Sequence, residues 1–199
     1  MSALTTPFAP DDLFRLSVDQ YHGLIERGIL GSEDRVELLE GVLVRKMKKI
    51  DPHILATRRC RRILVPLLPA GSFYEADQPV SLLDSEPEPD GVIIIGSVDD
   101  AQLTRPSAAD LALVIEIADT SLSRDRKLKL PSYARAGVVC YWIINLIDRQ
   151  IEVYTKPDPT ADLPTYLDRK IFTPGQRLPL VIEQKTIAEI AVDDLLPPA

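Results

Sequence analysis

One charge interrupts the apolar run LALVIEIA, residues 111–118, and it is the carboxylate of Glu116. A run so uniformly apolar suits a strand covered on both faces. An ionised carboxylate inside it is costly unless a cation or hydrogen-bond donors compensate it. Cations follow at once, with Arg124, Arg126, Lys127 and Lys129 in a segment of helical character. A second apolar run, VVCYWIIN, then returns to the core. Strand, basic helix, strand presents one buried acid near several cations, which makes the unit a candidate site.

Three further residues can join such a site, each with a plainer reading beside it. Asp90 follows a proline and precedes the short apolar strand GVIIIG, so its carboxylate falls at the strand's edge, near the rim of the sheet. The plainer reading is a turn-forming aspartate in Pro-Asp-Gly. Glu37 lies within the first strand of a hairpin, RVELLEGVLVRKM, whereas Glu40 belongs to its Glu40-Gly41 turn. His53, in the first turn of a long helix, either contacts a phosphate or orients a carboxylate, or is a helix-end histidine with no role.

Several chemistries are excluded. The sequence has no glycine-rich phosphate loop, no G-x-S-x-G elbow and no paired-histidine metal motif. Two histidines argue against a zinc hydrolase. Acids at strand ends plus a lysine remain, and hard oxygen ligands suit magnesium or manganese. Metal-assisted phosphodiester hydrolysis unites that acid set with a basic stripe from Arg45 to Arg62, where eight Lys or Arg face one Asp in a chain of net charge −7. Lys48, Lys49, Arg58, Arg59 and Arg62 of the stripe, with Arg124, Arg126 and Lys127, are the expected nucleic-acid contacts. The alternative is a solvated helix face.

The elements that must position these residues read as follows. Residues 1–15 form a loose arm, and residues 16–199 a single domain. Ser17 and Gln20 make a capping box for a helix from Val18 to about Arg27. Asp51 caps a helix with Pro52 at its first position, running to about Leu68 with Ala56, Cys60, Ile63, Leu64 and Leu67 on one stripe. Strands follow within 72–83, at 91–96, at 111–118 and at 138–145, then QIEVYTK, 166–172 and 178–182. A second capping box, Thr186 to Glu189, begins a short closing helix. Tyr133 and Trp142 read as core. Cys60 and Cys140 are core fillers with no metal-knuckle spacing. The 45% hydrophobic and 27% charged composition is that of a globular chain. No stretch is long enough to span a membrane and no signal peptide is evident, so the expected location is cytoplasmic.

The segments RVELLEGVLV, EPDGVIII, LALVIEIADTS and RDRKLKLPSYARAGVVCYWIIN resemble the Uma-two family of restriction-endonuclease-like proteins, within the PD-(D/E)XK nuclease superfamily. The resemblance runs from the first helix to the C-terminal helix, and YARAGVVCYWIIN is its most specific part. It implies an α/β fold, a mixed β-sheet flanked by helices, and a magnesium-dependent endonuclease acting on DNA. It implies that Asp90 and Glu116 bind the metal, with the backbone carbonyl of Ile117 as a third ligand and Glu37 completing the site. The superfamily's usual lysine position, two after the second acid, holds Ala118 here. The family displaces that lysine to the following helix, where the matching residue is Lys129, and His53 matches an accessory histidine.

Lys129 also has a local alternative. Asp125 lies four residues before it and would share its helix face. Pro131 either delays that helix to about Leu128 or kinks it, since proline beyond the first turn costs about 3 kcal/mol. Cutting both strands of a duplex needs two sites, hence an expected homodimer. The alternative function is a nuclease-fold module that binds nucleic acid or a partner protein without cutting.

Overall fold

The computed structural model describes residues 12–198. The expected N-terminal arm, 1–15, lies largely outside them. Helix α1 (Val18–Glu26) starts on the Ser17–Gln20 capping box. Strands β1 (Val36–Leu39) and β2 (Val42–Arg45) form the expected hairpin. Glu40 and Gly41 at its turn both have positive φ, 48° and 74°, the backbone a two-residue hairpin turn demands. Helix α2 (Asp51–Leu64) begins one residue earlier than expected. Ile50 is the extended N-cap, so Asp51 is the first helical residue rather than the cap, and Pro52 is the second. The stripe holds: Ala56, Cys60 and Leu64 are buried, with Ile63 and Leu67 packed beside them.

Strands β3 (Ser72–Glu75), β4 (Gly91–Ile95), β5 (Leu111–Ala118), β6 (Cys140–Asn145), β7 (Gln150–Asp158) and β8 (Thr165–Phe172) make one sheet in that order. Only β5 and β6 are parallel, as a strand–helix–strand crossover requires. The crossover runs through α3 (Leu122–Arg124), a π-helical turn Asp125–Lys129, and α4 (Leu130–Ala136). The helix does not begin late: it starts at Leu122, and a π-helical turn stands just before Pro131. A proline lacks the N–H of an ordinary helical turn and crowds the carbonyl four residues back, and a π turn relieves both.

Every residue of β5 is buried, because both faces of the sheet are covered. On one face Leu113, Ile115, Ile117 and Trp142 pack against α2, a β9–β10 hairpin (Arg177–Ile182, Lys185–Ala191) and α5 (Val192–Leu195). On the other, Val114, Ala118, Tyr141 and Ile143 pack against Tyr133, Leu130 and Ala134 of the crossover.

The closing helix expected from Thr186 is instead strand β10, and the helix comes at Val192. Glu183 and Gln184 both take positive φ, closing a tight hairpin whose ladder and buried Ile190 outweigh the local capping pattern. Cys60 is buried and Cys140 half-buried, both as free thiols, each pushed up to about 12 chiefly by burial. No helix among the described residues is long and apolar enough to cross a membrane.

Candidate active site

Three elements bring the acids together. The last rung of the β4–β5 ladder sets Gly91 opposite Ile115, so one step further Asp90 comes alongside Glu116. The backbone N–H of Ile117 donates to Asp90 Oδ2 at 2.7 Å, fixing that approach. Gly91 is required by contact rather than by its dihedral angles: a Cβ there would run into the ring of Tyr74, whose hydroxyl reaches the Asp90 carbonyl at 3.4 Å. The acidic, proline-rich connection after Leu83 is an ordered strap. Glu86 bridges to Leu38 on β1, and the Glu88 N–H donates to Glu37 Oε2 at 3.3 Å. That strap carries Glu37 toward Asp90.

Glu37, His53, Asp90, Glu116, Asp125 and Lys129 therefore line one cleft. Lys129 lies between two of the acids, its Nζ 2.9 Å from Glu116 Oε1 and 3.2 Å from Glu37 Oε2. The local alternative, an ion pair with Asp125, does not form. Lys129 turns to the cleft acids, and Asp125 instead accepts from the Ser121 hydroxyl at 2.6 Å. Asp90 is not a turn residue, since its carboxylate faces tertiary partners. Lys49 Nζ stands 2.8 Å from Oδ1 and His53 Nε2 3.0 Å from Oδ2.

His53 Nδ1 is buried without a hydrogen-bond partner among the described residues. That favours the tautomer with the proton on Nε2, donating to Asp90, because an orphaned acceptor costs less than an orphaned N–H.

The carboxyls do not behave alike. Burial raises the Asp90 carboxyl, but the hydrogen bond from His53 and the Lys49 ammonium outweigh it and bring it down to about 2. Burial pushes Glu116 well above its ordinary range; Lys129 opposes this, while Asp125, Asp90 and Glu37 add to it. Asp125 is raised to about 6, mostly by burial against the pull of Lys129. Burial disfavours the Lys129 ammonium, yet Glu116, Glu37 and Asp125 together hold its proton far more tightly than usual. The cleft carries more carboxylate than its cations satisfy.

Two participants escaped the sequence. Tyr133, read as core, is buried but donates to Glu116 Oε1 at 2.9 Å. Lys49, placed among phosphate contacts, holds Asp90 and Asp77. The expected nucleic-acid set divides. Lys48, Lys49 and Arg124 line the cleft. Arg126 is committed elsewhere, donating through Nε and Nη2 to the buried Glu152. Arg59 donates to the carbonyls of Asp193 and Asp194. Arg58, Arg62 and Lys127 are exposed away from the cleft lining.

A divalent ion fits the donor chemistry, since carboxylates dominate the cleft and one of them, Glu116, is held toward its neutral form for want of positive charge. Among the described residues no three acid, histidine or cysteine side chains are yet gathered around one point. Ammonium groups stand between them: Lys129 between Glu37 and Glu116, Lys49 on Asp90.

The comparisons bear on the family and the fold. The Uma2 family model, described as "Putative restriction endonuclease", matches residues 18–189. Among solved structures, the chain is similar to that of a "putative nuclease belonging to DUF820 from Anabaena variabilis ATCC 29413". The two share 16% identity over 90% of this chain and 97% of that one, with a TM-score of 0.69. At that identity the likeness is one of fold alone. No curated protein matches.

Proposed function

The chain belongs to the Uma2 family, and from that premise we propose that the cleft hydrolyses phosphodiester bonds of DNA with a magnesium or manganese ion. The observation that carries the reading is the convergence of Asp90, Glu116, Glu37 and Lys129 from four separate elements on one buried, under-compensated cleft. Asp90 and Glu116 would hold the ion, with the Ile117 carbonyl and Glu37 as further oxygen donors. What such an ion supplies when bound is Lewis acidity, which makes water acidic and offsets charge on phosphate oxygens.

The chain's own residues do the rest. His53 and the Ile117 N–H keep Asp90 ionised and aimed. Tyr133 and Lys129 fix Glu116 from one side through its Oε1. Lys129 keeps its proton, so it works as a cation and donor toward the attacking water or the negative charge on phosphorus, and not as a base. Cleavage of both strands of a duplex would take two copies, hence a homodimer.

Supercoiled plasmid incubated with Mg2+ tests the proposal. The wild type should nick or linearise it, and Glu116→Gln and Lys129→Met should each lose at least about a hundredfold in rate. Cleavage undiminished in Glu116→Gln would overturn it. A second reading, binding without cutting, draws on the two lysines that already pair with Asp90 and Glu116. It predicts DNA binding by a wild type that cleaves nothing.

A further inference from the structure

Lys46 and Lys48 line the cleft on one side and a second cavity on the other. The second cavity is completed by Glu33, Asp34, Arg35 and Arg45, on the β1–β2 hairpin and the turn before it. The two cavities differ in charge. Carboxylates outnumber cations in the cleft, whereas four cations face two acids in the hairpin groove. Asp34 is already engaged, accepting from the Gly31 N–H at 2.7 Å. Lys46 pairs with Glu88, while Arg35, Arg45 and Lys48 make no ion pair among the described residues.

The groove is braced. The Arg35 guanidinium donates across the hairpin to the Met47 carbonyl at 3.4 Å, and Arg124 donates to the Arg45 carbonyl at 2.8 Å. Arg35 itself sits at φ 47°, a left-handed backbone that a long side chain seldom adopts without surrounding support.

The rival basic surface is the outer face of α2. Arg59 there is tied to the C-terminal helix. Arg58 and Arg62 lie about 8 and 14 Å along the helix from His53 at 1.5 Å per residue. Neither lines the cleft or the groove.

We infer that the hairpin groove is the track for the nucleic-acid backbone. A strand whose reacting phosphate lies in the cleft continues over Lys46 and Lys48 to Arg45 and Arg35, and leaves the α2 arginines uncontacted. The inference rests on the phosphodiester reading of the cleft. The acid-rich cleft draws the metal and the neighbouring cation-rich groove draws the phosphates, so one surface serves both.

Fluorescence anisotropy of a labelled duplex oligonucleotide, and of its single strand, in EDTA tests this apart from catalysis. Arg45→Glu/Lys48→Glu should weaken binding at least about tenfold and lower the slope of log affinity against log salt by about two. Arg58→Glu/Arg62→Glu should change affinity less than about twofold. Both side-chain pairs are exposed, and an unchanged unfolding midpoint verifies that the variants fold. A loss confined to the α2 variant, an equal loss in both, or no binding by the wild type overturns the inference. Plasmid cleavage measured beside it separates the two claims. Cleavage without dependence on the groove sinks only the track, and groove-dependent binding without cleavage sinks only the hydrolysis.

Discussion

Glu116 and Glu152 stand in one row of the sheet, both opposite Ile143 of the strand between them. Both are buried, yet their surroundings differ. Glu152 accepts from Arg126, Arg169, Tyr154 and Asn145. Burial alone would raise it, but those partners, Arg126 foremost, pull it down to about 2. Glu116 has one ammonium and one phenol, both on Oε1, and three other carboxyls raise it further. A carboxylate with a full set of donors is a structural fastener. One left short of positive charge beside a cleft is where a cation or a developing charge gains most.

The largest expected effect breaks the fastener. Glu152→Gln should cost about 2 kcal/mol, because Arg126, Arg169 and Tyr154 lose a charged acceptor. Glu116→Gln should shift stability by less than about 1 kcal/mol, since the carboxyl is already held toward neutrality and the amide still accepts from Lys129 and Tyr133. Urea unfolding at neutral pH measures both, and equal costs would erase the distinction.

The pH dependence should run in opposite directions at the two ends of the row. Glu152 falls on folding, so its contribution is full above its ordinary 4.5 and is lost as pH drops toward about 2. Glu116 and Asp125 rise on folding, so theirs is full below their ordinary values and is lost as pH climbs. For Asp125 the window runs from 3.8 to about 6. Urea midpoints across pH 3–7 should therefore flatten over that window in Asp125→Asn, and an unaltered slope would count against its raised carboxyl.

A smaller effect concerns the competing ammonium. Lys49 stands on Asp90 Oδ1, so Lys49→Met should tighten magnesium binding, by no more than about tenfold. Calorimetric titration reads this directly, and weakened binding would make Lys49 a partner of the ion's site rather than its rival.

How far the sequence revealed these residues follows from the range of the interactions. Glu116 was legible because an acid in an unbroken apolar strand is locally anomalous. Asp90 and Glu37 could be placed at strand positions, but their approach depends on β4 pairing with β5 and on the strap beside β1. Lys129 was legible as one cation of the helix, but its place on Glu116 came only through resemblance, because the helical spacing offered Asp125 as a local partner. Glu152 gave no signal. The arginines that hold it lie 26 and 17 positions away, out of reach of any local pattern. The alternation of 185–191 likewise lost to a capping pattern until the hairpin turn declared itself.

Carboxyl carbon NMR of Glu116 and Glu152, titrated with pH in the presence and absence of Mg2+, tests the central claim most directly. Glu116 should titrate above its ordinary range without the ion and move down when it is added, while Glu152 stays low in both. A Glu116 that titrates normally, or that magnesium leaves unmoved, would contradict the claim that this cleft is built for a cation.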